Sequence, residues 1–120
     1  MKYDLNLLIV DDVESIREGM GRIMKRFFKN CFLASSGIEA LKICEKETIN
    51  ILITDIVMPE MDGLTLIKHV TEKYPYVKPI LVISGQAAPE VLDEIEDIGI
   101  HVFTKPLDVD SMLDYIQAAL

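Results

Sequence analysis

Hydrophobic residues gather along this chain in two alternating patterns. Three runs, "LNLLIV", "NILIT" and "PILVIS", are apolar at consecutive positions over the length of a strand, and they stop at Asp11, Asp55 and Gly85. Runs that are apolar on both faces are what the strands of a doubly covered parallel sheet require. Two shorter candidates, "CFLA" and "HVFT", lie between and after them. Elsewhere the spacing changes to that of a helix. Ile16, Met20, Ile23, Met24 and Phe27 mark one stripe, and Ile38, Ala40, Leu41, Ile43 and Cys44 mark a second. A third follows Gly63 with Leu64, Leu66, Ile67 and Val70, and stops at the prolines of "YPYVKP". A fourth runs from Pro89 to about Asp97 with Val91, Leu92 and Ile95 inward and Gly99 as its stop signal. The last begins after "KPLD" and carries Val109, Met112, Leu113, Ile116 and Leu120.

Strand and helix therefore alternate five times, which predicts an α/β fold of (βα)5 type, a doubly wound five-stranded parallel sheet joined by right-handed crossovers. With 120 residues and no linker or repeat, residues 1–120 are expected to form a single domain. In such sheets ligands bind beyond the carboxyl ends of the strands. That edge collects the chemistry of this chain.

Asp11 and Asp12 end the first strand, Asp55 the third and Ser84 the fourth, while Lys105 and Pro106 follow the fifth. Each has an ordinary alternative taken alone. The Asp pair could cap a helix, Ser84 could be a turn residue, Lys105 a solvated charge, and "PEMDG" a loop in which Asp62 caps the next helix. Their arrival at successive strand ends favours a common site. Three neighbouring carboxylates repel one another unless a cation sits among them, and hard oxygen ligands suit Mg²⁺, with Mn²⁺ the alternative. A carboxylate beside a divalent ion, flanked by an amine and a hydroxyl, is equipped to accept a phosphoryl group. Asp55, single and central, is the best placed nucleophile; Asp11 and Asp12 form the metal-side pair.

Charge and composition narrow the partners. The net charge of −8 disfavours direct binding to nucleic acid or to an anionic membrane surface. The apolar run at residues 5–10 is too short to span a bilayer, and no export signal is visible. Cys31 and Cys44 lie within apolar patterns and lack the spacing of a metal site, so buried free thiols and a reducing cytoplasm are expected.

The residues that carry this site, "LLIVDD", "DIVMPEMDG", "ISG" and "KP", make the chain resemble the receiver domain of two-component response regulators along essentially its whole length. The resemblance implies a flavodoxin-like strand order 2-1-3-4-5. Asp55 would be the phospho-acceptor, fed by a sensor histidine kinase, a phosphotransfer protein or a small phosphodonor. Asp12 would bind Mg²⁺ directly, Asp11 mainly through water, and the Val57 backbone carbonyl would supply a further ligand. Lys105 and Ser84 would contact the phosphoryl group, and Pro106 would follow a cis peptide bond. Phosphorylation would shift the loop after Ser84 and the helix beyond it, with the fourth helix, fifth strand and fifth helix as the output surface for an effector domain or protein. A homodimer through the last sheet edge is a further expectation. Val57 and Gln86 flank the site and would modulate phosphoryl lifetime, Gln86 more strongly because its amide can orient a water.

The family places an aromatic residue three positions before the lysine, where this chain has Val102. Phe103 is adjacent, but neighbouring strand residues face opposite sides, so core packing is its expected role. His69 and His101 are assigned surface or packing roles, and the exposed side chains of the first helix, Arg17, Arg22 and Lys25, are expected to set kinase choice. Two other functions compete. A phosphohydrolase would want an acid or base two residues beyond the nucleophile, where Val57 stands. A phosphorylation-independent interaction module would keep the fold but would not need all the site residues. A flavin or nucleotide site lacks its Gly-rich phosphate loop, since "DDVES" follows the first strand. The expected activity is a switch that catalyses only its own phosphorylation and dephosphorylation, not a metabolic enzyme.

Overall fold

The computed structural model describes residues 3–105 and 108–120. Five strands, β1 (Tyr3–Val10), β2 (Phe28–Ala34), β3 (Ile51–Asp55), β4 (Ile80–Ser84) and β5 (His101–Thr104), alternate with five helices. These are α1 (Glu14–Met24), α2 (Gly37–Lys46), α3 (Gly63–Lys73), α4 (Pro89–Asp97) and α5 (Val109–Ala119). All pairings are parallel and the strand order is β2-β1-β3-β4-β5, as expected.

The apolar runs become the central strands because both of their faces are covered. Leu8, Val10, Leu52 and Val82 pack with Ala40, Leu66, Ile67, Val70 and Ile95 on one side of the sheet. Leu7, Ile9, Ile53, Leu81 and Ile83 pack with Met20, Met24, Met112 and Ile116 on the other. Each layer is the inner stripe of two or three helices, so the period-two and period-3.6 patterns meet in the core.

Side chains at the helix starts set where the chain turns. Ser36 accepts from Glu39 N at 3.1 Å, Asp62 from Thr65 N at 2.8 Å and Asp108 from Ser111 N at 3.2 Å, supplying N-caps for α2, α3 and α5. Pro89 opens α4, and Gly99 ends it with φ +84°. Helix α1 has no side-chain cap, since Val13 occupies the N-cap.

Several boundaries differ from the expected ones. β2 begins at Phe28, three residues before "CFLA", because edge-strand pairing with β1 tolerates exposed Lys29 and Asn30. Asn30 donates to Asn6 Oδ1 at 2.9 Å, and Asn6 N donates to Asn50 Oδ1 at 2.8 Å, so polar side chains tie β1 to both neighbours at this end. Phe27 lies beyond α1 in the turn to β2, and Ile23 and Ile38 on the expected stripes are exposed. No helix of the described residues is long and apolar enough to cross a membrane.

Candidate functional site

The carboxyl ends of β1, β3 and β4 lie side by side, and parallel register brings Asp11, Asp12, Asp55 and Ser84 to one edge. One carboxylate oxygen each from Asp11, Asp12 and Asp55 lies within 4.8 Å of the other two. Asp12 is exposed, whereas Asp11 and Asp55 are 1% and 6% exposed, so the edge holds two nearly buried negative charges. Lys105 answers them from the end of β5: its Nζ lies 3.0 Å from Asp55 Oδ2 and 3.6 Å from Asp11 Oδ2.

The Asp55 carboxylate is held on both oxygens. Ile56 N donates to Oδ1 at 2.7 Å, and Lys105 Nζ donates to Oδ2 at 3.0 Å. Its backbone is fixed as well. Thr54 Oγ1 donates to the Asp55 carbonyl at 2.8 Å, and Gly63 N donates to the Ile56 carbonyl at 2.7 Å. A Cβ at Gly63 would collide with the Asp55 carbonyl oxygen and come within 2.8 Å of Ile56 Cα, so the loop closes onto the acidic edge only through a glycine. In the same loop Glu60 adopts φ +67°.

Asp11 differs in its satisfaction. Its Oδ1 accepts from Val13 N at 2.9 Å, which makes the pair a turn rather than a helix cap. Its Oδ2 is buried without a hydrogen-bond donor among the described residues. Burial pushes the Asp11 carboxyl above its ordinary value; the Val13 amide pulls it down, Asp55 pushes it up, Lys105 pulls it down and Asp12 pushes it up. For Lys105 burial alone lowers the ammonium's pKa, but the hydrogen bond and charge of Asp55, with the charge of Asp11, outweigh it and the net direction is upward. A buried carboxylate oxygen that makes no hydrogen bond among the described residues, in a residue of a carboxylate triad, fits a divalent cation with oxygen preference.

Ser84, 5% exposed, ends β4, and its Oγ accepts from Ala87 N at 3.2 Å. Lys105 N donates to the Ser84 carbonyl at 2.9 Å, tying the two strand ends together. A Cβ on Gly85 would stand 3.2 Å from Lys105 Cδ, so the residue after Ser84 leaves room for the lysine stem. Gln86 is exposed on the β4–α4 turn, and Val57 is 56% exposed beyond β3. The cis bond expected before Pro106 lies outside the described residues.

Val102 and Phe103 separate across the sheet as alternation requires. Val102 packs in the layer of Val82 and Ile95, on the side of α4. Phe103 packs in the opposite layer, its ring 5.8 Å from that of Tyr115 and 4.5 Å from that of His101. His101 also stacks on Tyr115 at 4.9 Å, and His69 is exposed on α3. Arg22 and Lys25 are exposed, but Arg17 is not the free side chain expected. It is half-buried, and its Nη1 donates to the Asp11 carbonyl at 2.8 Å. Arg17, Thr54 and Gly63 were not singled out for the site by sequence reasoning. The glycine after "PEMD" was legible as a helix start, but its contact with Asp55 was not.

The response regulator receiver domain profile matches residues 7–117. The DNA-binding transcriptional regulator NtrC of Proteus hauseri is 30% identical over 115 residues, covering 96% of this chain and 24% of that protein. The CAI-1 autoinducer sensor kinase/phosphatase CqsS of Vibrio cholerae is 30% identical over 121 residues, covering 98% of this chain and 18% of that protein. This chain thus spans about a quarter or less of the length of these relatives. The solved structure of the Vibrio cholerae chemotaxis protein CheY4 superposes with TM-score 0.84 at 28% identity, covering 98% of this chain and all of that one.

Proposed function

The chain belongs to the response regulator receiver domain family, and from that premise we propose that it is a phosphorylation-dependent switch in which Asp55 accepts the phosphoryl group. The observation that carries this reading is the carboxylate triad of Asp11, Asp12 and Asp55, in which the buried Asp11 Oδ2 has no hydrogen bond among the described residues and stands 3.6 Å from the Lys105 ammonium. Asp11 and Asp12, with Asp55 and the Val57 backbone carbonyl, would hold Mg²⁺, Mn²⁺ being the alternative. When bound, such an ion neutralises the oxygens of a transferring phosphoryl group.

This chain's own residues perform the rest. A carboxylate oxygen of Asp55 attacks phosphorus, an O–P bond forms, and the bond to the donor's leaving atom breaks; from phosphohistidine, the imidazole nitrogen leaves and takes a proton from solvent. Ile56 N and Lys105 Nζ hold the carboxylate in place for the attack. Lys105 then faces the added charge, and Ser84 Oγ, already accepting from Ala87 N, has its hydroxyl hydrogen to donate to a phosphoryl oxygen.

Sensor histidine kinases or phosphotransfer proteins are the proposed donors, and an effector domain or protein is the proposed reader, in the cytoplasm. The α4–β5–α5 face, including a homodimer contact there, is the proposed output. Gln86, exposed beside the Ser84 turn, can orient a hydrolytic water where the Val57 side chain cannot. Incubation with acetyl phosphate and Mg²⁺, followed by intact mass, tests the reading. A gain of about 80 Da per chain in the wild type and none in Asp55→Asn is expected; no gain in the wild type under any donor rejects it.

A further inference from the structure

We propose that Arg17 is a positioning residue for the Asp11–Asp12 turn and sets its affinity for a divalent cation, an inference that rests on the reading of Asp11, Asp12 and Asp55 as the cation site. Helix α1 begins without a side-chain cap, so its own N-terminus gives the preceding turn little support. The turn is instead held at three points on one residue. Asp11 N donates to the Ala34 carbonyl at 3.1 Å, Asp11 Oδ1 accepts from Val13 N at 2.9 Å, and the Asp11 carbonyl accepts from Arg17 Nη1 at 2.8 Å. Among the described residues, what remains without a hydrogen bond on Asp11 is the buried Oδ2, which the Lys105 ammonium approaches at 3.6 Å.

The carbonyl that Arg17 holds belongs to the peptide plane joining Asp11 to Asp12. Planarity means that fixing the carbonyl fixes the direction in which Asp12 leaves the turn. Asp12 is exposed and gains no burial that would order it. Arg17 is therefore the contact through which α1 orders both metal-side carboxylates. Its backbone supports this geometry, because Arg17 N donates to the Val13 carbonyl at 2.9 Å and anchors the residue in the first turn of α1.

The guanidinium charge acts in two opposing ways. It relieves repulsion among the carboxylates, yet it repels an incoming cation. Partial exposure screens both effects, whereas a charge-assisted hydrogen bond to a fixed carbonyl survives in that environment. The ordering effect therefore dominates, as it does for groups that orient metal ligands from outside the coordination sphere.

The test is a Mg²⁺ titration of wild type, Arg17→Ala and Arg17→Lys, followed by the backbone amide shifts of Asp12 and Val13. Arg17→Ala should bind Mg²⁺ about tenfold more weakly. Arg17→Lys, which keeps a charged donor of similar reach, should stay within about threefold of wild type. An alanine variant that binds as tightly as wild type, or more tightly, overturns the proposal. Arg17→Met, which keeps much of the aliphatic stem and has no N–H to donate, replaces alanine if that variant does not fold, with the same two outcomes. Failure of the wild type itself to bind Mg²⁺ overturns the cation-site reading on which the proposal rests. That result is distinct from a wild type that binds and an insensitive Arg17 variant.

Discussion

Lys105 Nζ donates to Asp55 Oδ2 at 3.0 Å, an ion pair that joins the end of β5 to the end of β3 across β4. With the Asp55 side chain only 8% exposed and that of Lys105 23% exposed, the pair is drier than a surface salt bridge. Lys105→Ala leaves two nearly buried carboxylates without their cation. It should destabilise the protein by about 2–3 kcal/mol at neutral pH, below the full cost of breaking a buried pair because water reaches the lysine. The lysine's pKa is raised above its ordinary 10.5, so this stabilisation is complete below that value and is lost as pH rises through the raised one. Urea unfolding of wild type and variant, without divalent ions, measures the difference; a loss under about 0.5 kcal/mol would contradict the pairing argument.

Removing the charge of Asp11 should change stability in the opposite direction. Burial, with Asp55 and Asp12, raises its pKa despite the Val13 amide and Lys105, so the folded protein holds this proton more tightly than the unfolded chain. Its contribution to stability therefore falls as pH rises through the ordinary and raised values, and the penalty is full above both. Asn at this position keeps an oxygen for Val13 N and removes the charge. Asp11→Asn should raise metal-free stability at neutral pH by about 1–2 kcal/mol and abolish the stabilisation expected of Mg²⁺ in the wild type. Thermal unfolding across pH with and without Mg²⁺ tests this, the gain disappearing under acid conditions where Asp11 is protonated.

Gly63 should be intolerant of a single methyl. A Cβ there meets backbone on the Asp55 side, which cannot swing away as a side-chain end could. Gly63→Ala should cost about 2–3 kcal/mol and slow phosphorylation by acetyl phosphate, because relief requires moving Asp55. Gly19, where a Cβ meets nothing within 4 Å among the described residues, is the control, and its alanine variant should leave phosphorylation unchanged.

The difference between Gly63 and Gly19 shows where sequence reasoning reached its limit. Apolar runs made β1, β3 and β4 legible because strands buried on both faces have no alternation to misread. β2 was half legible, since an edge strand carries exposed Lys29 and Asn30 that break the apolar run. The gathering of Asp11, Asp12, Asp55 and Lys105 was legible from their places at strand ends, because parallel topology sends those ends to one side. The clamp from Arg17 to the Asp11 carbonyl left no mark in the pattern of residue types, for its acceptor is backbone. Gly63 was hidden for the same reason.

The last prediction concerns the two residues that compete for the aromatic position. Phe103 lies in the layer of α1 and α5 with Tyr115, while Val102 shares the opposite face of β5 with Thr104, the partner of Ser84 in the β4–β5 register. A swing of the Ser84 hydroxyl toward a phosphoryl group would thus be felt on the Val102 side and not on the Phe103 side. Phe103→Ala should lose about 2–3 kcal/mol through its aromatic and core contacts. It should nevertheless preserve the amide shift changes at residues 85–95 produced by a beryllofluoride phosphoryl mimic. Val102→Ala should lose only about 1–2 kcal/mol yet alter those shifts. If Phe103→Ala abolished the response in a folded protein, coupling would run through the α5 layer, and the separation of the two faces would not govern the switch.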